Sequence, residues 1–254
     1  MRHQIVIMDL SGVYKMESFY RHAYFDWIDC TALDGTQGYC DNHALTVLRH
    51  KIAPYAPDGI HFIDSGNYHY ISKLWTDKIT EPFALLLFDH HTDMQPSLFG
   101  KLLSCGSWVK DALDTNPYLK KVVIIGAADR LLEQIDPVYA DRVISYKESE
   151  LHDDTRWRHF ALQHVPYPVY ISIDKDVLTT EEAVSDWDNG SMTLAQLTVL
   201  LHRIVYNRRV IGVDICGGCS RTLQLITNPA ALSLNDRANK LLLQKLYCAL
   251  PRTT

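Results

Sequence analysis

The sequence predicts an α/β protein, a three-layer α/β/α sandwich with a mainly parallel central sheet. The first observation is that its strand-like runs are nearly continuous in apolar residues, as are strands that helices cover on both faces. The second is that these runs alternate along the chain with amphipathic helical stretches, which is typical of a sheet between two helical layers. The predicted strands are residues 4–10, 59–64, 83–88, 121–126, 168–173 and 209–215.

The helical stretches carry their own start signals. The clearest stretch, residues 194–206, follows Ser191 and Thr193, and either hydroxyl group can cap the first turn. No linker, repeat or low-complexity stretch interrupts the pattern, and 254 residues with 47% hydrophobic content can bury one large core. We therefore expect a single domain over residues 1–254.

The composition excludes several classes of partner. The 25 basic and 30 acidic residues give a net charge of −5, which argues against nucleic acid or an anionic membrane as the partner. No segment reaches the roughly 18–20 apolar residues of a membrane helix, and the N-terminal apolar run is too short for a secretion signal. Six cysteines in a chain of this size indicate a reducing compartment. We expect a cytoplasmic protein, and the sequence leaves a homo-oligomer open.

Residues typical of metal ligands follow three of the predicted strands. One strand continues into an Asp-x-His-x-Asp segment, whose three ligand-type side chains share one side of an extended chain. A second continues into Asp-x-Asp, and a third delivers one histidine after a turn. Ligands gather beyond the carboxyl ends of parallel strands, so we expect these side chains to converge. The six residues are His69, Asp89, His91, Asp93, Asp174 and Asp176.

Each of these residues alone has a structural explanation, since an aspartate after a strand is most often a helix cap or turn former. Together, however, four carboxylates and two imidazoles would repel and desolvate one another without cations between them. Oxygen ligands predominate, which favours Mn²⁺ and leaves Fe²⁺, Co²⁺ or Zn²⁺ as alternatives. Six ligands suit two ions bridged by shared carboxylates, and a water between two such ions ionises near neutral pH and becomes a nucleophile.

These segments resemble the signatures of the ureohydrolase family of arginases, agmatinases and formiminoglutamases. Residues 89–93 are similar to its D-x-H-x-D motif, residues 172–176 to its S-x-D-x-D motif, and residues 66–69 to its Gly-Gly-Asp-His turn. The order and approximate spacing agree over about residues 60–216. The resemblance implies an arginase-like sandwich that hydrolyses a guanidino or formimino C–N bond, most often with release of urea.

The resemblance also implies how two Mn²⁺ ions share the ligands. Two aspartates, Asp89 and Asp174, would bridge the ions. Asp93 would in addition accept a hydrogen bond from the bridging hydroxide and orient it, which makes it a candidate catalytic residue. The implied ligand sets are His69, Asp89, Asp93 and Asp174 for one ion, and His91, Asp89, Asp174 and Asp176 for the other.

Two segments depart from the family pattern. In the segment 104–107, Cys105 stands where arginases and agmatinases have a histidine that carries protons, so Cys105 is the second candidate catalytic residue. Residues 217–220 read Gly-Gly-Cys-Ser where the family has Glu-x-Asn-Pro, whose glutamate binds the guanidinium. Cys216 and Cys219 form a C-x-x-C pair that would line the pocket or, alternatively, serve a redox or zinc role. The ligand motifs are therefore complete, whereas two substrate-handling groups are absent.

The expected substrate is a small molecule or peptide with a guanidino group, such as arginine within a peptide, rather than free arginine. The loop 94–100 has no charged residue to meet the α-amino and α-carboxylate groups, and Leu98 and Phe99 offer apolar surface instead. No residue can be assigned to substrate binding from the sequence. The carboxylates that could meet the guanidinium are Asp41, Asp186, Asp188 and Asp214.

Two other functions stay open. The deacetylase relatives share the fold and bind a single Zn²⁺ through an Asp, a His and a later Asp, which Asp89, His91 and Asp176 could supply. Those enzymes need neither His69 nor Asp93, so the presence of both favours two ions. The other alternative is a non-catalytic relative that keeps its ions and binds a ligand, because the expected glutamate and histidine are missing. Metal stoichiometry separates the first two functions, and turnover excludes the third.

Overall fold

The computed structural model describes residues 4–97, 99–100, 102–151, 165–220 and 228–250. Ten strands and six α-helices lie within these ranges. The strands are β1 (Ile5–Asp9), β2 (Asp26–Asp29), β3 (Tyr39–Cys40), β4 (Gly59–Phe62), β5 (Phe83–Phe88), β6 (Leu103–Ser104), β7 (Leu119–Ile125), β8 (Val143–Tyr146), β9 (Val169–Asp174) and β10 (Val210–Cys216). The helices are α1 (Asn42–Ile52), α2 (Ile71–Thr76), α3 (Trp108–Thr115), α4 (Asp129–Leu132), α5 (Leu194–Asn207) and α6 (Pro229–Ala249).

Eight of the strands form one sheet in the order β2-β1-β4-β10-β9-β5-β7-β8. Every pair of neighbours in it is parallel. The other two strands, β3 and β6, form a small antiparallel pair. Strands β9 and β10 occupy the centre of the large sheet, and their carboxyl ends therefore lie where ligands of such sheets bind.

Two hydrophobic cores cover the two faces of this sheet. Alternate residues of one strand point to opposite faces, and in β1 the side chains of Ile5 and Ile7 enter one core while Val6 and Met8 enter the other. Helices α5 and α6 pack into the first core, and α1, α2 and α3 pack into the second. This arrangement confirms the predicted α/β/α sandwich with a parallel central sheet.

The six predicted strands correspond to β1, β4, β5, β7, β9 and β10, with ends that differ by up to two residues. The predicted helix 194–206 corresponds to α5, and Thr193 rather than Ser191 is its cap, because its side chain accepts a hydrogen bond from the Gln196 amide. The sequence did not predict β2 and β8. Both lie at the sheet edges and are only partly buried, so they lack the continuous apolar run by which central strands are recognised.

None of the helices in the described part of the chain combines the length and the apolar character needed to cross a membrane.

Candidate metal centre

All six predicted ligand residues line one cavity beyond the carboxyl ends of β4, β5 and β9. Asp89 directly follows β5, and Asp174 is the last residue of β9. His69 arrives after a short helical turn, Gly66–Tyr68, that follows β4. Gly66 lets this turn approach closely, since a Cβ atom there would lie 2.9 Å from Asp174 Oδ2 and 3.0 Å from Trp187 Cδ1. The structure thus brings the predicted residues together, and their role as ligands remains a prediction.

His69 forms one side of the cluster. Its Nδ1 atom lies 2.9 Å from Asp93 Oδ2, 3.2 Å from Asp89 Oδ2 and 3.5 Å from Asp174 Oδ2. Its other ring nitrogen, Nε2, lies 2.9 Å from Ser172 Oγ.

The Ser172 hydroxyl fixes the orientation of the His69 ring. Ser172 donates its proton to Asp214 Oδ1 at 2.5 Å, so it accepts a hydrogen bond from His69 Nε2. That bond leaves Nδ1 directed at the aspartates, as expected for an imidazole that is held by a second group and binds a metal through its free nitrogen. Both Ser172 and Asp214 are fully buried.

His91 forms the other side of the cluster. Its Nδ1 atom lies 2.8 Å from Asp176 Oδ2 and 3.5 Å from Asp89 Oδ1. Asp89 therefore directs one carboxylate oxygen towards each histidine, Oδ2 towards His69 and Oδ1 towards His91. A carboxylate in this position can bridge two ions.

Asp93 reaches the cluster by a turn of the backbone. Its φ angle is +50°, in the left-handed region that few residues other than glycine adopt. The Trp108 indole N–H donates a hydrogen bond of 2.6 Å to Asp93 Oδ2 and holds the carboxylate in place. The strand ends at Phe88, so the alternation of an extended chain does not continue through residues 89–93, and Thr92 also lines the cavity.

The electrostatics of this cluster fit divalent cations. Burial and the neighbouring carboxylates Asp176 and Asp89 raise the pKa of Asp174 to about 7. Burial opposes protonation of His91, yet hydrogen bonds to Asp176 and Asp89 raise its pKa to about 12. The imidazolium proton thus supplies positive charge that the carboxylates require, and metal ions displace such protons when they bind.

The identity and burial of the donor atoms also fit a metal. In the described residues, three groups could each hold an ion, with all ligand atoms of a group within 4.8 Å of one another. One oxygen of the cluster, Asp89 Oδ2, is buried without a hydrogen-bond partner among these residues. A buried oxygen in this state is costly unless something else binds it. The three groups are His69–Asp89–Asp93, Asp89–His91–Asp176 and His69–Asp174–Cys216.

The cavity above the cluster has a volume of about 150 Å³, enough for a few waters or a small planar group. Besides the six predicted ligands, its described walls include Gln95, Cys105, Leu131 and Trp187. Burial and then Asp93 raise the pKa of Cys105 to about 12. Nothing in the ligand motifs points to Trp108, the first residue of α3, or to Trp187, which lies in a loop.

None of the four carboxylates that could meet a guanidinium is among the described residues that line the cavity. Asp41 caps α1 and accepts a hydrogen bond from the Ala44 amide. Asp186 accepts hydrogen bonds from the Asn67 side chain and the Ser220 amide. Asp188 is exposed and lies 3.7 Å from Arg130. Asp214 is buried behind His69, where it binds Ser172.

The position of the missing glutamate is closed by the backbone. Gly217 has a φ angle of +83°, and a Cβ atom on it would lie 1.9 Å from Asp174 Oδ1 and 2.4 Å from the Lys175 amide. The two flanking cysteines are not joined by a disulfide. Cys216 donates to Asp174 Oδ2 and Cys219 donates to the Val184 carbonyl, so the pair does not converge on one ligand.

Lys175, which lies between two of the predicted ligands in the sequence, is buried and interacts with the buried Glu17. Burial lowers the pKa of Lys175, whose Nζ has no hydrogen-bond partner in the described ranges. Burial raises the pKa of Glu17 to about 7, against the opposing effects of Lys175 and of a hydrogen bond from the Asn239 side chain. Asp236 and Asp64 are the further charges that act on Glu17, and both raise its pKa.

The loop after Asp93 is described only in part, since Leu98 and Lys101 lie outside the described residues. Phe99 is exposed, as predicted, and its ring contacts Tyr39 edge-on at 5.0 Å between centroids.

Solved structures of similar fold come from several bacteria. An arginase of Bacillus subtilis matches with a TM-score of 0.68, 11% identity and coverage of 94% of this chain and 98% of that one. A formimidoylglutamase of the same species matches with a TM-score of 0.67, 13% identity and coverage of 97% and 88%. A hypothetical agmatinase of Burkholderia thailandensis matches with a TM-score of 0.65, 15% identity and coverage of 98% and 87%.

Sequence comparison gives the same family. An uncharacterized protein of Thermotoga maritima is 28% identical over 213 residues, which cover 84% of this chain and 79% of that protein. The sequence profile of the Arginase family matches residues 29–217, nearly three quarters of the chain. With the ligand motifs, the sheet and this match in agreement, the chain belongs to the arginase family.

Proposed function

We propose that this chain is a hydrolase that binds two divalent metal ions, Mn²⁺ foremost, and cleaves a linear, non-peptide C–N bond of a guanidino or amidine group. The observation that carries the proposal is Asp89, which directs one oxygen to His69 and the other to His91 and so joins two ligand groups. The names of the structural neighbours, arginase, agmatinase and formimidoylglutamase, support this class of reaction.

The protein's own residues have separable tasks in this proposal. Divalent ions bound here would supply Lewis-acid activation of water at neutral pH. Asp93, held by the Trp108 indole, presents its carboxylate at the cavity, where it can accept a hydrogen bond from the nucleophilic water and orient it. Cys105 lies in the cavity wall with a raised pKa, so its thiol can donate a hydrogen bond but is a poor base.

Trp187 is the proposed recognition surface for the substrate. It lines the cavity, is 45% exposed, and its ring centroid lies 5.8 Å from that of His91. Planar cations such as guanidinium bind favourably over the face of a tryptophan ring. Apart from the six predicted ligands, the described wall has no charged residue, so nothing in it would pair with the α-carboxylate of free arginine.

The metal content provides the first test. Protein dialysed against Mn²⁺ should retain two ions per chain by elemental analysis. Asp89→Asn should weaken both sites, whereas Asp176→Asn should weaken chiefly one. The group Asp89–His91–Asp176 is complete by itself and could hold a single Zn²⁺, as in the deacetylase relatives. One tightly held Zn²⁺ and no second ion would therefore favour that alternative.

The substrate class is tested by comparing urea release from free arginine, agmatine and arginine-containing peptides, with formimino and N-acetyl compounds as controls. Blocked guanidino compounds should be turned over better than free arginine. Trp187→Leu should raise KM for them more than Trp187→Phe does. A kcat/KM for free arginine above about 10⁴ M⁻¹s⁻¹ would contradict the proposed recognition, and the absence of turnover for every compound would favour a non-catalytic relative.

A further inference from the structure

Cys216 adds a thiol to the buried side of the metal centre. It is the last residue of β10, and in the parallel pairing with β9 it lies opposite Asp174. The side chain is fully buried, and its Sγ atom lies 3.2 Å from Asp174 Oδ2. The strand register therefore places a thiol beside a predicted ligand.

The ligand atoms of His69, Asp174 and Cys216 lie within 4.8 Å of one another, and all three residues are buried. The separations are 3.5 Å for His69 Nδ1 and Asp174 Oδ2, and 3.2 Å for Asp174 Oδ2 and Cys216 Sγ. Two ligands that bind one ion at about 2.0–2.3 Å in tetrahedral or octahedral geometry are roughly 3.0–3.7 Å apart. These separations fit a single ion.

A second observation points to an ion at the same place. Asp89 Oδ2 lies 3.2 Å from His69 Nδ1 and is buried without a hydrogen-bond partner in the described part of the chain. The Cys216 thiol lies on the same site, with its Sγ atom 3.2 Å from Asp174 Oδ2. The cluster thus offers both a hard and a soft donor to an ion there.

We propose that Cys216 is a thiolate ligand of the ion at His69, and that it shifts this site from Mn²⁺ towards Zn²⁺, Co²⁺ or Fe²⁺. The inference rests on the proposed two-ion centre. When the ion binds, the S–H bond breaks, the sulfur keeps the electron pair and donates it to the ion, and the proton leaves to solvent. Soft sulfur ligands favour these ions. The His91 site has only oxygen and imidazole donors and keeps the preference for Mn²⁺.

The test loads ion-free protein with Co²⁺ and records its near-ultraviolet spectrum, in which thiolate-to-Co²⁺ charge transfer absorbs strongly. The wild-type protein should show this band with an intensity that corresponds to one thiolate. Cys216→Ser and Cys216→Ala should lose the band, whereas Cys105→Ser and Cys219→Ser should keep it. Competition should also show that Cys216→Ser lowers the Zn²⁺ to Mn²⁺ preference about tenfold or more.

Each outcome distinguishes this inference from the function on which it rests. Two bound Co²⁺ ions without the band in wild-type protein would overturn the thiolate ligand and leave the two-ion centre intact. A band that disappears with Cys105→Ser instead would assign the thiolate to the cavity wall and also overturn the inference. If the protein bound no Co²⁺, Zn²⁺ or Mn²⁺, both proposals would fail. The wild-type spectrum and the two control variants decide the question even if neither Cys216 variant folds.

Discussion

Replacing Gly217 with alanine tests how the backbone after β10 supports the candidate metal centre. The left-handed φ angle of +83° costs a residue with a Cβ atom about 1–2 kcal/mol. The added Cβ would also lie 1.9 Å from Asp174 Oδ1, and overpacking of this kind costs about 1–3 kcal/mol. The free energy of unfolding should therefore fall by about 2–5 kcal/mol, which lowers Tm by roughly 5–15 °C in a chain of this size.

The variant should also lose ion affinity, because the Asp174 carboxylate has to move away from the new methyl group. Thermal unfolding followed by circular dichroism gives the stability, and Mn²⁺ titration by calorimetry gives the affinity. Gly218→Ala is a matched control, since a Cβ atom there would meet nothing closer than Lys175 Nζ at 3.5 Å, an ordinary contact. Its Tm and its ion affinity should stay close to those of the wild-type protein.

The reasoning would be refuted if Gly217→Ala kept its Tm within about 2 °C of the Gly218→Ala value and bound two ions as the wild-type protein does. That result would mean that the segment 217–220 can move aside. In that case position 217 could also accept the family's glutamate, whereas the observed geometry leaves no room for a side chain there.

Three further predictions concern Glu17, Trp108 and Cys105. The pKa of Glu17 is about 7 against an ordinary 4.5, so between these pH values the folded protein binds more protons than the unfolded chain, and its stability falls as the pH rises through them. Glu17→Gln should therefore raise the free energy of unfolding by up to ~3 kcal/mol at pH 8 and change it little near pH 4. Equal Tm shifts at both pH values would contradict this. Trp108→Phe removes the hydrogen bond to Asp93 Oδ2 and should lower ion affinity about 10–100-fold. Trp75→Phe is the control and should leave ion affinity unchanged, because the indole N–H of Trp75 has no hydrogen-bond partner among the described residues. Equal affinities of the two variants in calorimetry would show that Asp93 is held by its backbone alone. Cys105→Ala should lower kcat by less than the roughly 10²–10⁴-fold that follows removal of a general acid or base. A larger fall in kcat with unchanged metal content would indicate that the thiol takes part directly in the reaction.

The sequence predicted the buried central strands and the ligand-type residues that lie just beyond their ends. Asp89, His91 and Asp176 lie within three residues of the ends of β5 and β9, so the rule that ligands gather beyond such strands locates them. Asp93 also joins the site, but by a left-handed turn rather than by the strand alternation from which it was predicted.

The rest depends on contacts between segments that are distant in the sequence. The partnership of Cys216 with Asp174 requires the register of β10 against β9, and no pattern within either strand encodes it. Trp108 begins α3 and Trp187 lies in a loop, and the contact of each with the site depends on how these segments pack rather than on periodicity. For Asp41 and Asp214 the sequence suggested a role in binding the guanidinium, but the contacts of both residues are structural. Asp41 caps a helix, and Asp214 is buried and accepts a hydrogen bond from Ser172.

The order of strands in the sheet has a consequence for how the protein folds during synthesis. Strands β1, β2 and β4 lie on one side of β10 and β9, and β5, β7 and β8 lie on the other, although all six precede β9 in the chain. His69 follows β4 and Asp89 follows β5, so these two residues belong to halves of the large sheet that are hydrogen-bonded to each other through the last two strands. Such distant pairings make folding slow, since long loops close before the contacts form. Ions that bind at the candidate metal centre should therefore bind late, and they would stabilise only the completed sheet.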